Sequence, residues 1–210
     1  MTRSTLPQFA NRPNPWKTLA RRTVYDNPWI RVEDHEVLNP SGRPGQYGKV
    51  CFKNRAVAVV AIDDEDHVYL VGQYRYTLDA YSWELPMGGA PLDDDPLAAA
   101  QRELREETGL VAHHWRPLLT LHTSNSITDE IGFVFVAQQL THGEQAPEET
   151  EELEVARMPF AEAVACAADG RITDAMSVAA LLRLALERGV GTTANRPAST
   201  RAAADSDVPA

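Results

Sequence analysis

The chain has 210 residues, of which 43% are hydrophobic and 24% charged, values typical of a globular protein that can bury one core. The formal net charge is −10 and no block of lysine or arginine occurs, which argues against a nucleic-acid partner. The chain contains no apolar run of about 18 residues and no apolar core of a signal peptide near its start, so we expect no membrane span and no membrane partner.

The two cysteines give a prediction of the compartment. Cys51 falls in a strand-like stretch and Cys166 in a helix-like one, and they form neither a metal-binding spacing nor a disulfide framework. Both are interpreted as small core residues. Unpaired core cysteines are typical of a reducing compartment, so we expect a cytoplasmic protein.

Changes in composition divide the chain into four segments. Residues 1–12 are polar and expected to be flexible. Residues 13–52 contain short strand-like runs and are predicted to form an N-terminal β unit used for dimerisation. Residues 53–189 form the predicted main domain. Residues 190–210 are rich in Ala, Ser, Thr and Pro and are expected to be disordered.

The N-terminal unit is predicted to be a small antiparallel sheet. Residues 29–37 alternate apolar and charged side chains, and the Pro-, Gly- and Asn-rich residues 39–45 predict a turn. So small a sheet is not stable alone, and must pack on the main domain or on a second chain. Exchange of the unit across a two-fold axis would cover its apolar side chains, so we expect a homodimer. These side chains are Trp16, Trp29, Ile30 and Val32.

The main domain is predicted to begin with a buried β-hairpin. Residues 55–62 form a dense β run, residues 63–66 an acidic turn and residues 67–71 the returning strand. The turn lacks the pattern of a calcium-binding loop and is interpreted as solubilising.

Strands and helices are predicted in the second half of the main domain. The strands cover 115–122 and 131–138. The helices cover 159–169 and 174 to about 188, and Thr173 is the expected cap of the second helix.

The rest of the chain is organised around the stretch 88–110, which contains a strongly predicted helix. Asp95 is a good N-cap, Pro96 suits the first helical position and Gly109 suits the position after the helix. Three acids on this helix have i, i+3, i+4 spacing and therefore share one face. They are Glu103, Glu106 and Glu107.

Three like charges on one helical face repel each other unless a cation lies among them. Mg²⁺ prefers oxygen ligands, usually a few carboxylates together with phosphate oxygens of a substrate. The alternative is a solvated surface helix whose acids pair with Arg102 and Arg105.

The full pattern favours the metal-binding alternative because it resembles the Nudix box. That motif runs Gly, five residues, Glu, seven residues, then Arg-Glu-apolar-x-Glu-Glu-x-Gly-apolar. The chain matches every fixed position except one, where Asp94 replaces Glu. The matching positions are Gly88, Arg102, Glu103, Leu104, Glu106, Glu107, Gly109 and Leu110.

The resemblance covers roughly residues 13–188 and implies an α/β fold. We expect the Nudix α/β/α sandwich with a mixed sheet, plus the small N-terminal antiparallel β unit. It also implies that each site holds two or three Mg²⁺ ions, with Mn²⁺ as a substitute, and that Glu106 is a catalytic residue. The implied metal ligands are the Met87 carbonyl, Glu103, Glu106 and Glu107. The implied supports of the box are Gly88, Asp94, Arg102 and Gly109.

Two short segments resemble one branch of this family, the ADP-ribose and nucleotide-sugar pyrophosphatases. They are 73–76 (QYRY) and 84–86 (ELP). Arg75 is then a phosphate-binding residue, because guanidinium suits bidentate contact with phosphate; an ordinary ion pair is the alternative. Glu84 either binds metal or accepts backbone N–H groups of the loop. Asp129 and Glu130 resemble a segment placed beside the substrate in this branch.

The acidic stretch 144–154 is either a solvated loop or the carrier of the general base. In the ADP-ribose branch a loop glutamate at this point serves as base or additional ligand. Counting back from Leu153, Glu149 is the first candidate and Glu151 the second, while Glu148 and Glu152 stay open.

The resemblance implies hydrolysis of a small-molecule nucleoside diphosphate substrate. ADP-ribose or a related nucleoside-diphosphate sugar would give a nucleoside monophosphate and a sugar phosphate. Dinucleoside polyphosphates or nucleoside triphosphates are alternative substrates. A non-catalytic nucleotide-binding module is a further alternative, but such modules are expected to lose box acids that this chain retains.

Overall fold

The computed structural model describes residues 12–143 and 153–189, which form strands and three helices. The strands are β1 (Lys17–Asp26), β2 (Ile30–Leu38), β3 (Pro44–Phe52), β4 (Asn54–Ala61), β5 (His67–Arg75), β6 (Ala80–Glu84), β7 (Met87–Pro91), β8 (Leu110–His122), β9 (Ile131–His142) and β10 (Glu154–Pro159). The helices are α1 (Pro96–Thr108), α2 (Phe160–Asp169) and α3 (Ala175–Arg188).

The N-terminal unit is an antiparallel sheet in the order β1-β2-β3, which confirms the predicted architecture of this segment. Its β2–β3 turn is closed by Asn39, whose side chain accepts the N–H groups of Ser41 and Arg43, each at 3.0 Å. Gly42 has a φ of 78° in this turn, a conformation that glycine adopts without strain. All ten residues of β1 are exposed in the single chain.

β4 is the buried centre of a mixed sheet in the order β7-β4-β9-β8. It pairs antiparallel with β7 and parallel with β9. Val57, Val59 and Ala61 belong to the core cluster that contains buried residues of α1. Ala58 and Val60 belong to the cluster that contains α2 and α3. Helices therefore cover both faces, which confirms the predicted α/β/α sandwich and explains why the strand is apolar without alternation.

The predicted hairpin between residues 55–62 and 67–71 is wrong. β4 and β5 belong to different sheets, and a single bridge between Ile62 and Val68 joins them at the turn. The neighbours of β4 are β7 and β9, whereas those of β5 are β10 and β6. Strand pairing was set by these distant partners rather than by the short acidic turn.

The caps of α1 agree with the prediction. Asp95 accepts the N–H of Leu97 at 3.1 Å, and Gly109 follows the helix with a φ of 70°. The predicted Thr173 cap of α3 is wrong by one residue. Asp174 is the cap, and its carboxylate accepts the N–H of Ser177 at 2.8 Å.

Two strand boundaries also differ from the sequence interpretation. β8 begins at Leu110, directly after α1, and β9 continues to His142, so that the two strands pair along almost their whole lengths. In the described residues, none of the helices combines the length and hydropathy needed to cross a membrane.

Candidate active site

The helix α1, which carries the box acids, and the preceding strand β7 line an open cleft of about 580 Å³. The cleft is lined by Trp29, Asn54, Met87, Gly88, Gly89, Pro91, Arg102, Glu103 and Glu106. Of the predicted metal ligands, the structure brings Met87, Glu103 and Glu106 together here.

Gly88 allows the carboxylate of Glu103 to lie directly against β7. A Cβ atom at residue 88 would overlap the carboxyl group of Glu103, so any larger residue must displace that group. Neither Gly88 nor Gly89 has a positive φ. The glycine at the start of the box is therefore required by close approach rather than by backbone conformation.

Glu107 does not share the cleft with the other two acids. It is 2% exposed, and its carboxylate accepts the N–H of Met87 at 3.0 Å. The side chain thus holds the backbone segment before the box glycine. Among the described residues, no group of three or more Asp, Glu, His or Cys side chains is arranged to hold a metal ion.

Arg102 links the two cleft acids to β7. Its guanidinium donates to the carbonyl oxygen of Gly89 at 2.9 Å, to Glu103 at 2.5 Å and to Glu106 at 3.3 Å. The hydrogen bond to Glu103 is the main cause that raises the pKa of Arg102. The arginine therefore offsets part of the negative charge of the two carboxylates while it links them to the strand.

Asp94, the residue that departs from the family pattern, lies on the exposed turn before α1. Its backbone carbonyl accepts a hydrogen bond from Arg55 at 3.1 Å. Within the described parts of the chain no ion pair joins Asp94 to Arg102, whose guanidinium pairs with Glu103 and Glu106.

The donor set of the cleft fits a hard divalent cation. Two half-buried carboxylates, Glu103 and Glu106, line a cleft that Met87 also lines. Mg²⁺ needs one or two carboxylates when substrate phosphates and water complete its shell. The guanidinium of Arg102 already shows that positive charge is favourable between these two acids.

Arg75 forms an ion pair with Glu84. Two nitrogens of its guanidinium donate to the two carboxylate oxygens, one of them at 3.0 Å. This hydrogen bonding raises the pKa of Arg75 most, and the charges of Asp174 and Glu107 raise it further. Glu84 is buried and orients the arginine. In the cleft lined by the box acids, neither side chain is part of the wall.

Asp129 lies at the junction with the N-terminal unit. Its carboxylate accepts the N–H of Phe52 at 2.9 Å and pairs with Lys49 at 2.7 Å. Burial opposes the charged form, but these two contacts lower the pKa of Asp129. Glu130 accepts a hydrogen bond from the hydroxyl of Thr123. Both residues that were predicted to contact the substrate therefore make contacts within the protein itself.

Trp29 is a cleft residue that the sequence did not assign to the site. Its side chain is 67% exposed at the β1–β2 turn. Asn27 holds this turn by accepting the N–H groups of Trp29 at 2.9 Å and Ile30 at 2.7 Å. The signal in the sequence was an aromatic residue in an Asn-Pro-Trp turn, which was interpreted only as a dimer contact.

The candidate bases Glu149 and Glu151, and the alternatives Glu148 and Glu152, lie outside the described residues. Residues 1–11 of the segment 1–12 that was predicted to be flexible, and the residues 190–210 that were predicted to be disordered, also lie outside them.

Comparison with protein families agrees with this geometry. A family model described as NUDIX domain matches residues 52–179, which include β4, the box, all of α2 and the first residues of α3. The chain belongs to the Nudix hydrolase family. A second model, described as nucleoside diphosphate sugar hydrolase N-terminal domain, matches residues 16–50 of this Nudix hydrolase.

Individual Nudix relatives cover most of the chain. A protein of Bacillus methanolicus named methanol dehydrogenase activator is 30% identical over 83% of this chain and 95% of its own. The ADP-ribose pyrophosphatase of Mycobacterium tuberculosis (strain ATCC 25618 / H37Rv) is 36% identical over 80% of this chain and 82% of its own. A crystal structure of an ADP compounds hydrolase superposes with a TM-score of 0.75 at 25% identity, covering 86% of this chain and 99% of that one.

Proposed function

We propose that this Nudix hydrolase uses Mg²⁺ to hydrolyse the diphosphate bond of ADP-ribose or a related nucleoside-diphosphate sugar. The products are a nucleoside monophosphate and a sugar phosphate. The observation that carries the proposal is that one cleft is lined by Glu103, Glu106 and Trp29, an exposed aromatic residue of the N-terminal unit. The match of residues 16–50 to the nucleoside diphosphate sugar hydrolase N-terminal domain supports the same substrate class.

Glu103, Glu106 and the carbonyl of Met87 are the residues proposed to hold the metal. When bound, Mg²⁺ neutralises the charge of a diphosphate and acidifies water. Arg102 keeps the two carboxylates in place, and Glu107 holds the backbone at Met87. Because Glu107 is buried, we assign it to support of the metal site rather than to direct ligation.

Trp29 is proposed to contact the nucleobase. An indole that is mostly exposed at a cleft wall offers a flat face for stacking, which tolerates different bases. Arg75, oriented by Glu84, is proposed to reach a phosphate only after a shift of its side chain, since the ion pair now occupies its guanidinium.

The general base is proposed to be a glutamate of the acidic loop, Glu149 first and Glu151 second. Glu103 and Glu106 are tied to Arg102, and Glu107 is tied to Met87. Hydrogen bonds within the protein thus hold all three box acids, whereas the reaction needs a carboxylate that is free to remove a proton from the attacking water.

A homodimer is proposed because the N-terminal sheet leaves its first strand uncovered. All of β1 is exposed in the single chain, including Leu19, Val24 and Tyr25. A second copy would cover this strand and its apolar side chains. Light scattering at micromolar concentration tests the proposal, since a monomer would contradict it.

A cytoplasmic location is proposed from the cysteines. Cys51 and Cys166 are both buried and unpaired, as expected in a reducing compartment.

A substrate panel with and without EDTA tests the proposed function. ADP-ribose, GDP-mannose, a dinucleoside polyphosphate and a nucleoside triphosphate are incubated with Mg²⁺, and products are separated by chromatography. Preferential release of a nucleoside monophosphate from the two diphosphate sugars is expected. Turnover confined to the polyphosphates, or turnover that is unchanged in EDTA, would contradict the proposal.

A further inference from the structure

Three hydrogen bonds from distant parts of the fold hold the backbone segment 85–87, which leads into the box. The N–H of Leu85 donates to the hydroxyl oxygen of Ser177 at 2.9 Å. The carbonyl oxygen of Pro86 accepts from the N–H of Val59 at 2.9 Å. The N–H of Met87 donates to Glu107 at 3.0 Å. Anchors on α3, β4 and α1 therefore fix three successive residues.

Ser177 is the anchor that no motif includes. It is 0% exposed, lies in the first turn of α3, and is 92 residues from Leu85 along the chain. Its own N–H donates to the helix cap Asp174 at 2.8 Å, so the position of its hydroxyl is set by the start of the helix. α3 thus contacts the segment from the side of the sheet opposite α1.

We infer that Ser177 is a positioning residue of the metal site, acting through the segment 85–87. The inference rests on the proposed function, because it concerns the same Met87 carbonyl. Glu107 and Ser177 hold the segment at its two ends, on either side of Pro86. Loss of either anchor lets the segment move relative to Glu103 and Glu106.

The effect of removing the hydroxyl follows from burial. Leu85 and Ser177 are both fully buried, so an alanine at 177 leaves the N–H of Leu85 without its acceptor and with no access to bulk water. The segment can recover a hydrogen bond only by shifting. Because Met87 is two residues away, such a shift changes the placement of its carbonyl. Replacing a residue that holds a metal ligand in position, without binding the metal itself, commonly changes metal affinity tenfold or more.

The test measures binding of Mn²⁺ alone, without substrate, by electron paramagnetic resonance of the unbound ion. Ser177→Ala is compared with Leu184→Val, a truncation of a buried core residue about two turns further along the same helix. Ser177→Cys, whose sulfur is a weaker acceptor, is the second variant. Hydrogen exchange of the Leu85 amide is followed in each protein, and Tm is recorded.

We expect Ser177→Ala to raise the Kd for Mn²⁺ roughly tenfold and to speed exchange of the Leu85 amide. Ser177→Cys should change both in the same direction by less, and Leu184→Val should lower Tm without changing the Kd. An Mn²⁺ affinity of Ser177→Ala equal to that of Leu184→Val would overturn the inference, regardless of the exchange rate of the Leu85 amide. Absence of Mn²⁺ binding in the wild-type protein would instead overturn the metal dependence in the proposed function.

Discussion

Gly88 and Glu103 are in such close contact that no side chain fits between β7 and the carboxylate. The group that a new Cβ would meet is the far end of a flexible glutamate, so the substitution displaces the carboxylate rather than the backbone. The contact therefore links the first glycine of the box to the geometry of the proposed metal site.

Gly88→Ala is expected to reduce activity by roughly a hundredfold while costing only about 1 kcal/mol in stability, because Glu103 can rotate away. Kinetics and thermal unfolding measure the two effects. Gly89→Ala is the matched control, since its Cβ would come within 3.1 Å of the Asn54 amide, a tight contact that requires a small shift of Asn54 but does not involve Glu103. Equal activity in both variants would show that the position of Glu103 is unimportant.

Glu106 and Glu107 are adjacent acids of the box, and we expect their replacement to have different effects. Glu106→Gln removes charge from a half-buried cleft residue, so turnover should fall roughly a hundredfold or more with stability changed by no more than about 0.5 kcal/mol. Glu107→Ala removes the buried acceptor of the Met87 N–H and should cost about 1–3 kcal/mol of unfolding free energy. Chemical denaturation distinguishes them. Identical stability of the two variants would contradict the assigned roles.

The sequence predicted the local features of the site better than its three-dimensional arrangement. Asp95 and Gly109 were predicted as caps because capping depends on neighbouring residues. The burial of Glu107 was missed, since the spacing places three acids on one helical face but does not say how β7 packs against that face. Ser177 could not be found, because its partner Leu85 comes from a different part of the chain.

The strand pairing of β4 and β5 failed for the same reason. A short turn between two apolar runs favours a hairpin locally, but the long strand β9 pairs with β4 instead. The cap of α3 was missed by one position because Thr173 and Asp174 are both suitable cap residues. The carboxylate of Asp174, rather than the adjacent hydroxyl, reaches the N–H of Ser177.

Asp94 should be a tolerant position. Its side chain is exposed and its structural contact is made by the backbone carbonyl, which any residue provides. Asp94→Glu is expected to keep wild-type activity, and Asp94→Ala to lose less activity than Glu106→Gln. Steady-state kinetics of the three variants gives the ranking, which is wrong if Asp94→Ala is the most damaged.

Trp29→Ala should raise KM roughly tenfold with little change in kcat, because it removes a stacking surface at the cleft wall. Trp29→Phe should retain most of the affinity. Trp16→Ala is the control on the same unit, since Trp16 packs edge-on against Tyr47 and does not line this cleft. A KM that rises equally in Trp16→Ala would point to a general defect of the N-terminal sheet.

The candidate bases can be separated by single replacements. Glu148, Glu149, Glu151 and Glu152 are each changed to Gln, which preserves size and removes the ability to accept a proton. One variant, Glu149→Gln by preference, should show kcat reduced roughly a hundredfold with KM nearly unchanged. If all four remain within a few-fold of wild type, the base is not on this loop.

The most direct test follows the fate of water in the reaction. The protein is incubated with ADP-ribose and Mg²⁺ in water enriched in ¹⁸O, and the products are analysed by mass spectrometry. We expect AMP and ribose 5-phosphate in equal amounts, with one ¹⁸O atom in the phosphate of one of them, because water attacks one phosphorus of the diphosphate. Products that carry no label would contradict the proposed hydrolysis, as would ADP-ribose that stays intact together with GDP-mannose under the same conditions.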